Sequence, residues 1–532
     1  MKRITSAITS ILIFCAIAFA SAPAYAAVID ESPSAQEETA EAVQEQGSDL
    51  PSNYSSRDLG YCTSVKSQIG SICWAYASIS SFETLQLKNH FFTTDLSITE
   101  LDKWGTTEEN GDGWQRSERE PGYTYIPIGY FTSWGGPVTT EEGAAAKYGV
   151  TKLRYLSPNR RDEIKKAIMD DGAVTANINL YTRGYSSDRC SFCLTDEISS
   201  IYGHTMSVVG WDDNYPKEKF DGNYNPKGNG AWLCKNSWGD NNDIGGYLWV
   251  SYEDHYLFNE DRQATSFAIE KVRTIEENDS IYQNEIYGAT FSFSTDDEEE
   301  VTDFFNVFDF SQKGNVLDNV VFETRSAGAD YRIYYVPLNE NGVPVSEKNR
   351  WKQISGGTVE YQGYIEADVD NYVVPKKPAA ICVEIDTTEN NSNPENDRIQ
   401  CNIGTSEWLR QTSTGKMQFI KPCEQGKSFV STKEGIMDLK DYYSEKLDDD
   451  IGGTLVIKAI TNGTRDTGLL GDADLNGVVN INDATYIQKH ISGEYMNLND
   501  DQLLNSDFNC DGVININDVT AIQKSIAGSE EE

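Results

Sequence analysis

The sequence predicts a multidomain protein that combines an α+β domain, a β-sandwich and a small α-helical module. Three observations lead to this fold class. The 532 residues exceed what one hydrophobic core supports, the apolar pattern changes character along the chain, and a repeat occurs near the C-terminus. Because 38% of the residues are hydrophobic, each part has enough apolar side chains to form a core.

The charge balance excludes one class of partner. The chain has 84 acidic and 44 basic residues, which gives a formal net charge of -40. A nucleic-acid backbone would be repelled over much of such a surface, so we expect no nucleic-acid partner. After the N-terminal segment no apolar stretch approaches the roughly 20 residues that span a bilayer, so we also expect no membrane span.

Residues 1–26 have the pattern of a bacterial secretory signal. Lys2 and Arg3 form a basic start, residues 11–20 are an unbroken apolar run, and residues 24–26 supply a small-x-small cleavage site. We therefore expect a secreted, extracellular protein in a compartment that permits disulfides.

The segment that follows the signal is expected to be a flexible acidic leader. Residues 27–56 contain seven acidic and no basic residues, with few large apolar groups to offset the entropy of ordering. They are also too few for a long helical inhibitory propeptide. A lipid anchor at Cys15 is a less favoured alternative to signal cleavage, because the bulky Phe14 precedes it.

Residues 57–270 are predicted to form the α+β domain. Apolar residues recur at near-helical spacing over residues 72–88, whereas residues 206–211 and 247–252 read as short strands. This mixture favours helices packed against a sheet.

Residues 271–463 are predicted to form the β-sandwich. Short β-branched or aromatic runs at residues 319–323, 331–336 and 379–385 are separated by Gly, Asn and Asp, and helical periodicity is hard to find. Residues 461–468 are a plausible linker to the C-terminal module.

An internal repeat predicts two calcium sites in residues 464–532. Residues 472–491 and 507–526 align without gaps at an offset of 35 residues. In each copy oxygen-bearing side chains occupy loop positions 1, 3, 5, 9 and 12, with glycine at position 6 and a valine carbonyl at position 7, which is the EF-hand spacing. The predicted ligands of the two Ca²⁺ ions are Asp472, Asp474, Asn476, Val478, Asn480 and Asp483, and Asp507, Asn509, Asp511, Val513, Asn515 and Asp518.

Each loop runs into an amphipathic helix, whereas no clear helix is expected before either loop. A loop-helix duplicate of this kind (two F-hand repeats) resembles a type I dockerin. The resemblance implies that the partner is a cohesin module of a cellulosome-type scaffoldin, and that the protein is associated with the cell surface through that complex. By the same resemblance, the cohesin-contacting positions are Ile481, Asn482, Lys489 and His490, and Ile516, Asn517, Lys524 and Ser525.

A cysteine, a histidine and an asparagine occur in contexts that suit nucleophilic catalysis. Cys73 lies where a helical pattern begins, and the positive end of a helix dipole favours a thiolate. His204 follows 131 residues later at the head of an apolar strand, which suits a general acid and base. Asn236, close to Trp238, is suited to orient the imidazole ring.

Residues 68–77, 203–211 and 235–239, in this order, resemble the papain-like (C1) cysteine peptidases. The resemblance extends over residues 55–252. It implies that Cys73 is the nucleophile, His204 the general acid and base, Asn236 the orienting amide, and Gln68 the side-chain donor of the oxyanion hole. It further implies an endopeptidase that cleaves protein or peptide substrates without a catalytic cofactor.

Two departures from that family keep other functions open. The interval from Gln68 to Cys73 is five residues, one shorter than usual, and Gly70 and Ile72 replace residues of the family signature, so a nearby disulfide cysteine is missing. One alternative is a catalytically weak papain-like fold that acts as a binding or adhesion component. Another keeps the Cys73 nucleophile for peptide ligation or inhibitor capture. Serine-hydrolase, nucleotide-binding and zinc-peptidase motifs are absent from the sequence.

The β-rich region has a resemblance of its own. A β-rich domain directly after a papain-like domain resembles the lectin-like domain of some bacterial members of that family, which implies a glycan or protein ligand.

Cys190 and Cys193 are separated by two residues. They are interpreted as a local disulfide or as residues bonded elsewhere, since no second such pair completes a four-ligand zinc site.

Overall fold

The structure is a computed structural model of the chain. The expected signal at residues 1–26 and most of the leader lie outside the residues that it describes, as does Asp511. It describes residues 50–90, 96–106, 113–114, 116–141, 143–198, 202–258, 266–295, 299–392, 399–406, 409–410, 417–418, 423–447, 452–465, 469–494, 497–509 and 513–528.

The first unit is an α+β domain, as the sequence predicts. Its longest helix packs on a central antiparallel strand, because Trp74, Ile79 and Phe82 place apolar side chains in the core. Its helices are α1 (Cys73–Lys88), α2 (Ile98–Trp104), α3 (Tyr125–Thr132) and α4 (Arg161–Asp171). Its strands are β1 (Asn53–Ser55), β2 (Tyr148–Leu156), β3 (Val174–Leu180), β4 (Ser191–Phe192), β5 (Tyr202–Asp212), β6 (Ala231–Lys235), β7 (Tyr247–Ser251) and β8 (Ser266–Thr274).

This unit begins before, and ends after, the boundaries expected at residues 57 and 270. β1 pairs antiparallel with β5, with Asn53 opposite Asp212, so the last residues of the expected leader belong to the sheet. Three residues are too short a run for the apolar alternation that marks a strand in the sequence. β8 likewise continues to Thr274.

The second unit is a β-sandwich with two short helices that the sequence does not indicate. One sheet has the order β14-β13-β16-β11-β20-β21, and it packs on β15-β12-β23 through a core that includes Phe304, Ile381 and Phe322. The strands are β9 (Ser280–Gln283), β10 (Phe291–Phe293), β11 (Val301–Asp309), β12 (Val316–Thr324), β13 (Asp330–Val336), β14 (Lys352–Thr358), β15 (Gly363–Val373), β16 (Pro378–Asp386), β17 (Ile403–Ser406), β18 (Leu409–Arg410), β19 (Met417–Gln418), β20 (Ser428–Thr432), β21 (Gly435–Asp438), β22 (Thr454–Leu455) and β23 (Ile457–Thr461), and the helices are α5 (Thr388–Asn391) and α6 (Leu439–Lys446).

The two units share one sheet and one core. β2 of the first unit pairs with β15 of the second, with Tyr364 opposite Leu153, and this joins their strands into a twelve-stranded sheet. Phe131 from α3 lies in the same buried cluster as Tyr364 and Val321. Because backbone hydrogen bonds and apolar packing both cross the boundary, the α+β domain and the sandwich support each other.

The buried carboxyl of Glu323 at this boundary predicts a pH-dependent stability. Burial raises its pKa to about 7, although the Arg325 charge and the nearby Tyr155 side chain act in the opposite direction. An unfolded glutamate ionises near 4.5, so between pH 4.5 and 7 the unfolded state loses its proton first and stability falls as pH rises. Above pH 7 we expect this group to cost about 3 kcal/mol.

Glu323→Gln is therefore expected to remove most of that pH dependence. Urea unfolding midpoints at pH 5 and pH 8 measure it, and the exposed Glu340→Gln serves as the control with an unchanged profile. An identical difference between the two pH values in Glu323→Gln and wild type would show that this carboxyl is not its source.

The C-terminal unit contains α7 (Ile481–Ile491), α8 (Asp500–Ser506) and α9 (Ile516–Gly528). α7 and α9 pack through a small core that includes Ala484, Ile487, Val519 and Ile522. The expectation that no helix precedes either loop is wrong for the second loop, because α8 ends immediately before Asp507. Its seven residues have a short apolar pattern, and a capping box at Asn499 starts it instead. Among the described residues, the structure contains no helix with the length and apolar character of a membrane span.

Candidate active site and cation loops

Cys73 is the first residue of α1, as the sequence predicts. No side chain caps this helix end and no acidic residue lies in its first turn, so the positive end of the helix dipole acts on the thiol without local competition. The thiol is half-buried. Most of the helix that follows is buried in the core.

His204 and Asn236 come together because β5 and β6 are neighbours. Ser207 pairs with Lys235 across this antiparallel pair, which brings the residue after β6 beside the start of β5. The His204 Nε2 and Asn236 Oδ1 atoms are 2.9 Å apart. The indole of Trp238 covers the imidazole at a ring-centroid distance of 4.8 Å. His204 is 6% exposed, so the hydrogen bond to Asn236 is shielded from water.

The electrostatics of Cys73 and His204 favour an ion pair. Burial raises the pKa of the Cys73 thiol, but the charge of His204 and hydrogen bonds from His204 and Thr205 outweigh it, so the pKa lies below its ordinary value. Burial lowers the pKa of His204, whereas the Cys73 charge and the bonds to Cys73 and Asn236 raise it above its ordinary value. Opposite shifts of the two pKa values are what a thiolate–imidazolium pair requires.

Gln68 lies beside this pair in a constrained position. Its Nε2 donates to the Gly70 carbonyl at 2.9 Å, and its Oε1 accepts from Ser237 Oγ at 2.7 Å. One amide hydrogen remains for a developing oxyanion. Gly70 adopts a left-handed φ of +77°, which lets the short interval to Cys73 turn sharply.

The structure thus brings the four predicted catalytic residues together, while their roles stay predictions. Thr205 and Ser237 were missed at the sequence level. Each directly follows a motif residue, and that adjacency is the only sequence signal that could have pointed to them.

Replacing His204 by alanine is expected to slow thiol alkylation at mildly acidic pH. Without the imidazolium, burial dominates and the pKa of Cys73 rises, so the acid limb of the alkylation profile moves to higher pH. At pH 6 we expect the iodoacetamide rate to fall at least about 10-fold. Rates measured from pH 5 to 9 test this. An unchanged acid limb would mean that His204 does not set the thiol pKa.

The interpretation of Cys190 and Cys193 as disulfide-bonded is wrong. All eight cysteines among the described residues are free, and these two are buried. Strand β4 lies between them, and an extended chain advances about 3.3 Å per residue, so their Cα atoms are too far apart for a local bond.

The first cation loop gathers three carboxylates. Oxygen atoms of Asp472, Asp474 and Asp483 lie within 4.8 Å of one another. Asp483 also accepts from the Asp474 and Asn480 backbone amides at 3.2 and 2.8 Å, which folds the loop around it. This oxygen set suits a hard cation such as Ca²⁺. The Val478 carbonyl accepts from Asn480 Nδ2 at 3.0 Å, so these two predicted ligands contact each other within the loop.

The described part of the second loop repeats the hydrogen bonds of the first. Asp518 accepts from the Asn509 and Asn515 backbone amides at 3.1 and 2.8 Å. The Val513 carbonyl accepts from Asn515 Nδ2 at 2.8 Å, as Val478 does in the first loop. The described parts of the two loops therefore share the same hydrogen-bond pattern.

Comparisons with known proteins follow the same division of the chain. The family model for the papain family cysteine proteases matches residues 50–267, and that for the lectin like domain matches residues 281–461. Curated relatives include cathepsin J of Rattus norvegicus, 28% identical over 219 residues, and cathepsin Q of the same organism, 26% identical over 216 residues. Each alignment covers 38% of this chain. The chain spans 60% and 59% of the length of these two relatives.

Solved structures of the clostridial cysteine protease Cwp84 match across both units. The form after propeptide cleavage is 29% identical with a TM-score of 0.67, covering 77% of this chain and 99% of that one. The protease and lectin-like domains of Cwp84, a surface layer associated protein of Clostridium difficile, are 29% identical with a TM-score of 0.68, covering 78% of this chain and 90% of that one. This chain therefore contains a papain-family cysteine protease domain followed by a lectin-like domain.

Proposed function

We propose that the protein is a secreted cysteine endopeptidase that cleaves peptide bonds through Cys73, His204 and Asn236. The observation that carries the proposal is the paired geometry of the site, in which a low-pKa thiol at a helix N-terminus meets a high-pKa imidazole held by Asn236. Opposed pKa shifts of a paired thiol and imidazole are typical of a catalytic site.

The first half of the proposed reaction forms an acyl-enzyme. The Cys73 thiolate attacks the carbonyl carbon of the scissile bond, and the negative charge moves to the carbonyl oxygen. The Gln68 amide and the Cys73 backbone N–H stabilise that oxygen. His204 then gives its proton to the amine nitrogen as the C–N bond breaks, which leaves a thioester on Cys73 and neutral imidazole.

The second half releases the acid product. His204 removes a proton from water, and the resulting hydroxide attacks the thioester carbon. The C–S bond breaks, the thiolate returns, and the protonated imidazole completes the cycle. The hydrogen bond to Asn236 keeps the ring in one orientation through both transfers.

A fluorogenic peptide library under reducing conditions tests this function. We expect turnover that stops when one equivalent of an alkylating reagent has reacted. No turnover from a folded protein would support the catalytically weak binding domain, and transfer of the acyl group to an added amine rather than water would support ligation.

We further propose that the C-terminal module is a calcium-dependent dockerin that binds a cohesin of a scaffoldin. The duplicated loops, the acidic cluster of Asp472, Asp474 and Asp483, and the exposure of Ile481 and Ile516 support it. Ile481 and Ile516 occupy equivalent positions of the repeat and are 54% and 57% exposed, which suits two equivalent docking surfaces. Such docking would hold the secreted enzyme at a cell-surface complex.

Calcium dependence of binding tests the dockerin proposal. Immobilised type I cohesins are probed with the full chain, first in millimolar Ca²⁺ and then in chelator. Reversible loss of binding in chelator is expected. Binding that is equally strong in chelator, or absent in Ca²⁺ across a cohesin panel, would contradict the proposal.

For the sandwich we propose a glycan or protein ligand, which the match to the lectin like domain supports. A glycan array probed with the full-length, alkylated protein tests the glycan. No retention on any glycan would leave a protein ligand as the surviving form of this proposal.

A further inference from the structure

The backbone segment that precedes Cys73 contacts a neighbouring loop. The Ser71 backbone N–H donates to the Arg119 carbonyl at 2.9 Å. A Cβ added to Gly70 would lie 2.6 Å from both the Cβ and the carbonyl oxygen of Arg119. Residues 68–72, which we name the oxyanion segment, therefore press directly against Arg119.

Arg119 itself has an unfavourable backbone conformation. Its φ of 65° lies in the left-handed region, which costs free energy for a residue with a side chain. The Asp102 Oδ2 atom accepts its backbone N–H at 2.8 Å. This bond holds Arg119 in the conformation that directs its carbonyl at Ser71.

The other oxygen of Asp102 pairs with a fully satisfied arginine. The side chains of Arg116 and Asp102 are each 3% exposed, so the ion pair is buried. The five acceptors of the Arg116 guanidinium are Asp102 Oδ1 and the carbonyls of Asp102 (2.9 Å), Gly105 (2.9 Å), Glu120 (2.8 Å) and Pro121 (3.3 Å).

These bonds connect three parts of the fold. Arg116 ties the end of α2 to the loop of residues 117–121, and Asp102 ties the same helix to Arg119. The guanidinium also lies over the Trp74 ring at 4.9 Å, directly beside the nucleophile. A guanidinium has five N–H donors in a rigid fork, so no other side chain can make all of these bonds.

We propose that the buried Arg116–Asp102 ion pair is the positioning element of the oxyanion segment. It acts through Arg119 on Gly70 and Ser71, and the Gly70 carbonyl in turn holds the amide of Gln68, the proposed side-chain donor of the oxyanion hole. The proposal rests on the proposed peptidase function, because the oxyanion hole matters only for acyl transfer.

Two measured rates distinguish a positioning role of the Arg116–Asp102 ion pair from a general effect on the stability of the fold. Peptide hydrolysis needs the oxyanion hole, whereas alkylation by iodoacetamide displaces iodide at a saturated carbon and forms no oxyanion. In the full-length Arg116→Gln variant, kcat/KM for a fluorogenic peptide should fall about 100-fold. The alkylation rate of Cys73 and its pH profile should stay within about 3-fold of wild type.

Two further variants complete the comparison. Asp102→Asn loses one acceptor but keeps the side-chain shape, and an intermediate loss of about 10-fold is expected. Should Arg116→Gln fail to fold, this variant decides the question by the same two rates. Glu100→Gln breaks the exposed Lys103–Glu100 pair on the same helix and should leave both rates unchanged.

Hydrogen exchange at the Ser71 amide gives a readout that does not depend on hydrolysis. Exchange within residues 68–72 should rise at least about 10-fold in both variants, while the core of α1 stays protected. Parallel losses of hydrolysis and alkylation, or an unchanged Ser71 exchange rate, would overturn the positioning role. If the wild type alkylates but cleaves no peptide, the peptidase function fails, and the Ser71 exchange alone decides the positioning.

Discussion

Cys73→Ala is expected to abolish peptide hydrolysis, with turnover at least about 10⁴-fold below wild type. Alanine cannot form the thioester, and the remaining oxyanion donors alone give little rate. The measurement is turnover of a fluorogenic peptide and of a denatured protein under reducing conditions. The fold should persist, because only one half-buried sulfur is removed.

The matched control is Cys190→Ala, which removes another free thiol of the same domain. It should retain wild-type turnover and wild-type inactivation by alkylating reagents. Cys62 is also half-buried, and burial raises the pKa of its thiol, so it should react slowly. Hydrolysis that survives Cys73→Ala would remove the proposed mechanism.

Asp472→Ala or Asp507→Ala is expected to unfold the C-terminal module and weaken cohesin binding at least about 100-fold in Ca²⁺. Asp472 Oδ1 and Oδ2 accept from the Asn476 and Gly477 amides, so this side chain shapes the loop as well as offering oxygen ligands. The core between α7 and α9 is small, and a bound ion would supply much of the module's stability.

The far-ultraviolet circular dichroism of the full chain, measured with and without Ca²⁺, reports the loss of these helices. Glu340→Ala, which removes an exposed carboxylate of the sandwich, is the control and should bind as wild type. A variant of Asp472 that keeps Ca²⁺-dependent helix and full cohesin affinity would show that this loop holds no structural ion.

Local patterns predicted most of the elements around the candidate site. The near-helical spacing after Ile72 became α1, and the apolar run at Met206 became part of β5. Cys73, His204 and Asn236 could be found because each stands in a short motif whose neighbours are fixed by chemistry. The internal repeat likewise predicted the two cation loops, because the spacing of oxygen-bearing residues in such a loop is fixed by chemistry.

Contacts between distant segments could not be predicted in this way. An apolar pattern indicates that a strand is buried, but it does not indicate which strand lies beside it. The pairing of β2 with β15 therefore could not be predicted from the sequence. Arg116 and Asp102 look like ordinary surface charges in the sequence, and only the fold puts five acceptors around one guanidinium. α8 was not predicted because it is short and begins at a polar capping box.

Mass spectrometry of a trapped acyl-enzyme tests the central claim most directly. The full chain is mixed with a peptide activated ester, quenched in acid within the first turnover, and digested. One acyl group per molecule is expected on the peptide that contains Cys73, and it should disappear at the rate of acid release. Hydrolysis without an adduct, or with the adduct on another residue, would contradict a Cys73 acyl-enzyme.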